Sequence, residues 1–193
     1  MVEQNSVMYA GATRRFCALL VDGIILGIVL GILTVILRGV TTNIMVQQGI
    51  SQVLGALYYI LLESSNRMAS LGKSVMKIYV AMDEGKKAPI GTIALRYLIM
   101  MLPSLPLLCI TYSSDYSNML QTIQQYNDAH DPQGVITYMQ SPEVKDIYFL
   151  LMKVTGFSGL LGTFLFWLPI VFTKQKTGLH DYLTKTRVFK RTA

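Results

Sequence analysis

The apolar run over residues 16–37 constrains the fold of this chain more than any other sequence feature. It reads FCALLVDGIILGIVLGILTVIL and holds one charged residue, Asp22. A helix of this length crosses the roughly 30 Å hydrocarbon layer of a bilayer. The apolar part is too long for a signal peptide, and no small-residue cleavage site follows it. The run therefore predicts a membrane-spanning helix.

Three further apolar runs predict spans over residues 49–65, 92–112 and 154–172. Hydrophobic residues make up 52% of the chain and charged residues 15%, whereas a soluble domain carries about 25% charged residues. This composition excludes both an ordinary soluble domain and a disordered chain. We expect an all-α integral membrane protein, a four-helix transmembrane bundle in which residues 1–193 form a single domain.

The positive charges predict the orientation of the bundle, because basic loops stay in the cytoplasm. Four spans put both termini on one side, together with the loop between spans 2 and 3. Most of the seventeen lysines and arginines lie in these three segments: Arg14, Arg15, Arg67, Lys73, Lys77, Lys86, Lys87, Lys174, Lys176, Lys185, Arg187, Lys190 and Arg191. We expect cytoplasmic termini, an inner-membrane location and contact with anionic lipid, and no nucleic-acid binding.

Two loops carry local patterns. Ile78, Val80 and Met82 alternate before the turn sequence Asp83-Glu84-Gly85, which predicts a short cytoplasmic hairpin between spans 2 and 3. The outer loop over residues 113–147 is long and acidic. Within it, residues 119–126 have the spacing of a short amphipathic helix on the outer surface, but the role of the loop stays open.

Asp22 is the most informative single residue, because an isolated carboxylate in hydrocarbon costs a few kcal/mol. It must face the bundle and must either pair with a cation or carry a proton. Arg15 lies two helical turns before it, and Arg96 opens span 3 from the same side. Two interpretations remain: an ion pair that fixes helix packing, or a carboxylate that handles a proton or cation.

The remaining chemical signals are weak. His180 and Asp181 are adjacent, but neighbours on a helix point about 100° apart, so we expect His180 to be a surface or interface residue. Cys17 lies at the predicted cytoplasmic end of span 1 and Cys109 near the outer end of span 3, so they are too far apart to form a disulfide. Gly72-Lys73-Ser74 lacks the first glycine of a phosphate loop. We find no metal cluster, cofactor motif or catalytic set, and we expect no enzyme.

Three blocks of the sequence resemble the RDD family of small, mostly bacterial membrane proteins, named for an arginine and two aspartates. The blocks are RRFCALLVD, ASLGKSVMKIYVAMDEGKKAPIGTIALRYL and TGLHDYLTKTRVF. The family pattern falls on Arg15, Asp22, Leu71, Gly72, Lys73, Arg96, His180, Asp181, Thr186 and Val188. The resemblance implies a helical membrane bundle with a role in transport, and some members resemble sodium/proton antiporters.

The matched charged residues all fall near the predicted cytoplasmic face. We therefore expect one polar cluster in which Arg15 and Arg96 neutralise Asp22 and Asp181, while Gly72 lets the loop fold back onto the bundle and Gly178 does the same for the tail. Two functions follow. The chain is a cation/proton or small-solute transporter, for which four spans predict a homo-oligomer. Alternatively it is a non-catalytic scaffold, accessory subunit or lipid-binding module.

Overall fold

Four helices of membrane-spanning length form the body of the protein. The computed structural model describes residues 8–41, 43–83 and 85–191. The spans have mean hydropathies between 1.2 and 2.7, and most of their apolar surface faces outward, as a bilayer requires. They run over Ala12–Arg38, Ile44–Glu63, Ile90–Thr111 and Pro142–Phe172. The predicted all-α, four-span fold class is confirmed.

The first two spans are single helices, α1 (Ala12–Arg38) and α2 (Ile44–Glu63). The third is broken by its prolines into α4 (Ile90–Met101), a 3-10 turn (Leu102–Ser104) and α5 (Leu105–Thr111). Proline supplies no backbone N–H to the helical ladder, so the helix changes its winding there.

The fourth span starts at Pro142, earlier than the predicted residue 154. Helix α8 (Pro142–Gly162) leads into a π-helical turn (Thr163–Trp167) and α9 (Leu168–Phe172). Ser141 caps α8 by accepting a hydrogen bond from the N–H of Val144, so the helix begins in polar sequence before the hydrocarbon layer. Hydropathy alone marks only its apolar part.

The predicted hairpin after span 2 is wrong: its first strand is present, but that strand does not pair with the segment that follows the turn. Strand β1 (Ile78–Met82) pairs antiparallel with β2 (Thr186–Lys190) near the C-terminus, with Ile78 opposite Lys190. The turn is real at Gly85, which has a φ of 74°; Glu84 lies outside the described residues. The chain after the turn soon reaches Pro89, which precedes α4, and is too short to form a strand.

The two strands and two short helices close one end of the bundle. The helices are α3 (Leu71–Val75) after span 2 and α10 (Leu179–Leu183) after span 4. Tyr9, which precedes α1, bridges to Phe189 of β2, so segments near both chain ends meet here. A small apolar core lies beneath them: Ala10, Ala18, Ile78, Val80, Ala88, Ile93 and Val188. We call this the charged end, for the side chains described below.

The opposite end carries two helices between spans 3 and 4. The predicted short helix in the loop over residues 113–147 is confirmed and extends over α6 (Ser114–Asp128), followed by α7 (Pro132–Met139). Ser113 and Asp131 cap them through their side-chain oxygens. Cys17 and Cys109 are free, as predicted.

Candidate functional site

Asp181 is the centre of an ionic network at the charged end. Its side chain is fully buried. Arg15 of α1 donates to Oδ2 over 2.6 Å, and Arg96 of α4 donates to Oδ1 over 2.9 and 3.1 Å. Burial alone would raise the pKa of the Asp181 carboxyl, but the charges of Arg96 and Arg15 and the hydrogen bond with His180 outweigh burial and hold that pKa well below its ordinary value. Asp181 is therefore an anion clamped between two spans.

Arg15 also binds two backbone carbonyl groups, one before α1 and one after span 4. Its Nε donates to the carbonyl of Ala10 over 3.2 Å, and its Nη2 donates to that of Lys176 over 2.5 Å. One guanidinium thus ties the start of α1 to the segment after span 4, which the planar, five-donor geometry of arginine permits.

Glu63, the last residue of α2, extends the network and was missed as a site residue in the sequence. It is 3% exposed, accepts a 2.9 Å hydrogen bond from Arg96 and forms an ion pair with Lys73. Burial lowers the pKa of Lys73, and the carboxylate of Glu63 opposes that shift. In the sequence, an acidic residue at the edge of an apolar run looks like a residue that merely marks the end of the span. Only the position of Glu63 near the other predicted members of the polar cluster could have indicated that it belongs to the site.

Asp22 lies next to this network but has other partners. It is 1% exposed; Tyr58 Oη donates to Oδ1 over 2.6 Å, Ser70 Oγ to Oδ2 over 2.6 Å, and the N–H of Gly72 to Oδ1 over 2.7 Å. Among the described residues no cation pairs with it. The expectation that Arg15 or Arg96 neutralises Asp22 is wrong, because both guanidinium groups are held by Asp181 and Arg96 is also held by Glu63.

Gly72 brings α3 against α1 and is required there. A Cβ at this position would lie 2.2 Å from the carbonyl oxygen of Ala18 and 2.8 Å from Cγ of Asp22. Gly178 is equally confined, since a Cβ would lie 2.6 Å from the carbonyl oxygen of Phe166. Both glycines allow a close approach to a span, as predicted from the sequence.

His180 is buried rather than a surface residue. It is 4% exposed, its Nε2 lies 3.2 Å from Oδ1 of Asp181, and Phe166 packs edge-on at 5.1 Å between ring centroids. Its Nδ1 is buried without a hydrogen-bond partner within the described part of the chain. Burial lowers the pKa of His180, and this outweighs the opposite effect of Asp181. The imidazole is therefore neutral at pH 7.

A cavity of about 270 Å³ joins Asp22 to the ionic network. Five of the six residues predicted for the site line it, and Asp181 lies behind Arg15 and Arg96. Its apolar lining includes Met100 of span 3 and Trp167 and Ile170 of span 4. No group of three or more His, Cys, Asp or Glu side chains suited to a metal occurs in residues 8–41, 43–83 and 85–191.

These features define a class: a four-span helical membrane protein with a buried network of ion pairs at one end. The sequence profile of the RDD family matches residues 9–185, nearly the whole chain, and the protein belongs to that family. Comparison with curated proteins and with solved structures gives no significant match.

The close approach at Gly72 predicts that Gly72→Ala destabilises the protein. Its methyl group must displace either α3 or the backbone of α1, which costs about 1–3 kcal/mol. Thermal unfolding of the protein in detergent measures the loss. Gly91→Ala is the matched control, because no neighbouring atom of the described residues lies within 4 Å of a Cβ there; equal effects of the two changes would contradict the contact.

Removing the charge of Asp181 should leave Arg15 and Arg96 buried without their shared anion. Asp181→Asn is expected to cost about 3–5 kcal/mol of unfolding free energy. Arg15→Gln should cost less in the Asp181→Asn background than in the wild type, which a double-mutant cycle measures. Additive effects would refute the pair, and Asp115→Asn, an exposed acid on α6, should change little.

The low pKa of His180 predicts a dependence of stability on pH. A group whose pKa is lowered by folding stabilises the protein above its ordinary pKa of 6.5, and this contribution fades as the pH falls. Between pH 7.5 and 5.5 the unfolding free energy should fall by at most about 1.4 kcal/mol per pH unit.

His180→Gln should flatten this slope in chemical denaturation at several pH values, whereas His130→Gln, at an exposed site, should leave it unchanged. Asp181 should not contribute in this range, because its pKa lies well below 3.8 in the folded protein. An unchanged slope in His180→Gln would contradict the assignment.

Proposed function

We propose that this RDD-family protein is a non-enzymatic transporter of the bacterial inner membrane in which Asp22 binds a proton or a monovalent cation. Asp22 carries the proposal, because it is the buried carboxylate of the site that no described cation neutralises. Its partners Tyr58 and Ser70 are hydroxyl groups, which can turn to accept a proton or offer an oxygen to a cation.

The distribution of cavities supports transport. Besides the cavity at Asp22, a second cavity of about 1150 Å³ lies at the opposite end of the bundle, against α1, α2 and α6. Helix α1 lines the first as far as Asp22 and the second from Leu30, so roughly 12 Å of helix separates them. Two cavities on the same helix pair, one towards each end of the bundle, suit alternating access.

The breaks in spans 3 and 4 add to this support. The 3-10 turn at Leu102–Ser104 and the π-helical turn at Thr163–Trp167 interrupt the regular hydrogen-bond ladder. Met101 lies beside the first turn and Trp167 within the second, and both line the cavity at Asp22. Such irregular turns occur at functional sites and are places where a helix can bend.

The orientation and partners belong to the same proposal. The charged end faces the cytoplasm, in keeping with the positive-inside rule, and its exposed basic residues contact anionic lipid. A proton or monovalent cation is the bound ion. Four spans offer few moving elements, so a homo-oligomer is the transporting unit.

A second candidate function is a non-catalytic scaffold, accessory or lipid-binding module. The specific observation in its favour is that Arg15, Glu63, Lys73, Arg96 and Asp181 are all paired with one another, which leaves none of these charges unused. On this alternative Asp22 only holds α3 against α1.

Proton flux across liposomes separates the two. Protein would be reconstituted with an internal pH-sensitive dye, and sodium or potassium added against a proton gradient. A cation-dependent proton flux that Asp22→Asn abolishes and Asp115→Asn preserves supports transport. Both variants must unfold at temperatures close to the wild type. No flux from folded, correctly inserted wild-type protein would refute transport and favour the module.

A further inference from the structure

Most residues that line the cavity at the opposite end have neutral polar side chains. It lies between the end of α1, the start of α2 and the helix α6. Six glutamines line it: Gln47, Gln48, Gln52, Gln121, Gln124 and Gln125. Each carboxamide offers two donors and one acceptor oxygen, so the lining can hydrogen-bond a ligand that carries both kinds of group.

Part of this lining belongs to membrane spans. Gln48, Ser51 and Gln52 share one face of α2, and Thr34 and Arg38 share one face of α1. Polar groups on a span are costly against lipid unless they meet other polar groups. Two such faces turned to one cavity therefore indicate a site for something polar.

The cavity retains unused hydrogen-bonding capacity. Gln48 Oε1 is buried and has no hydrogen-bond partner within the described residues, although it lies on the lining. Gln47, in contrast, is held by a 2.7 Å bond to the carbonyl of Thr41. A buried acceptor left open costs free energy that a ligand donor would recover.

Two opposite charges complete the lining. Arg38 ends α1, and its side chain makes no hydrogen bond or ion pair with the described residues; Asp128 ends α6. Gln124 donates to one oxygen of Asp128 over 2.8 Å, which leaves the other oxygen for a ligand. The formal charge of the lining is zero, with one site for a carboxylate and one for an ammonium group.

We propose that this cavity binds a zwitterionic peptide of a few residues. Arg38 binds its carboxylate, Asp128 its ammonium group and the glutamines its peptide amides. The volume of about 1150 Å³ is far more than an ion needs and lies slightly above the usual range of about 300–1,000 Å³ for pockets that bind small molecules, so a peptide of a few residues has room there. Peptide binding at this cavity does not depend on the proposed function, because binding needs no ion gradient. Only the further statement that the peptide is the transported solute rests on that function.

Equilibrium binding to the full chain in detergent tests it. The probes are alanyl-glutamine, the same dipeptide acetylated and amidated at its ends, sucrose and sodium chloride. We expect the free dipeptide to bind saturably and raise the unfolding temperature, and the blocked dipeptide to bind at least about tenfold weaker, or 1.4 kcal/mol. Binding of sucrose or sodium alone, or of nothing at millimolar concentration, would overturn the proposal.

Matched variants locate the site. Arg38→Gln and Asp128→Asn should each weaken dipeptide binding at least about tenfold. Arg14→Gln is the control for Arg38→Gln, because it removes one positive charge from α1, and Asp115→Asn is the control for Asp128→Asn, because it removes one negative charge from α6. Neither Arg14 nor Asp115 lines the cavity, so both control variants should bind the dipeptide like the wild type. Binding that survives in Arg38→Gln and Asp128→Asn would refute the assignment even if the folds are intact.

The two proposals fail separately. Asp22→Asn should bind the dipeptide like the wild type, because Asp22 lines the other cavity. Dipeptide binding without any proton flux would refute transport and leave this site in place. Proton flux without dipeptide binding would refute this site alone.

Discussion

The buried carboxylate of Asp181 holds the charged end of this protein together. It accepts hydrogen bonds from Arg15 on the first span and Arg96 on the third, and it follows the fourth span in the chain. Arg96 reaches Glu63 at the end of the second span, so the network links the first three spans to α10, which follows the fourth. A buried charge left unpaired is far costlier than a paired one, so these contacts form or fail together.

The balance of charge explains why Asp22 differs from the other buried acids. Three cations, Arg15, Lys73 and Arg96, face two carboxylates in the network, and Asp22 nearby supplies a third. The site as a whole is neutral, yet Asp22 receives only hydroxyl and backbone donors. It is therefore held by neutral donors and is not paired with a cation among the described residues.

The spans, and the inward orientation of Asp22, could be predicted from short stretches of sequence. A long apolar run must cross the bilayer, and Asp22 within such a run must be turned inward whatever its partner. The partner of β1 was not predictable from local sequence, because the pairing joins residues 78–82 to residues 186–190. The donors to Asp22 leave no sequence signature either, since Tyr58 reads as an interface aromatic and the N–H of Gly72 is backbone.

The two ends of the bundle differ in how tightly their polar groups are paired. At the charged end, ion pairs, glycine contacts and a two-stranded sheet tie the spans to the segments that follow them. At the other end, α1, α2 and α6 line a large cavity in which Gln48 Oε1 has no hydrogen-bond partner among the described residues. Both helices run continuously from one end to the other, so the same two spans line both cavities. The breaks in spans 3 and 4 lie beside the cavity at Asp22, so these spans can bend there while the ion pairs of Arg15 and Arg96, which lie outside the breaks, stay in place.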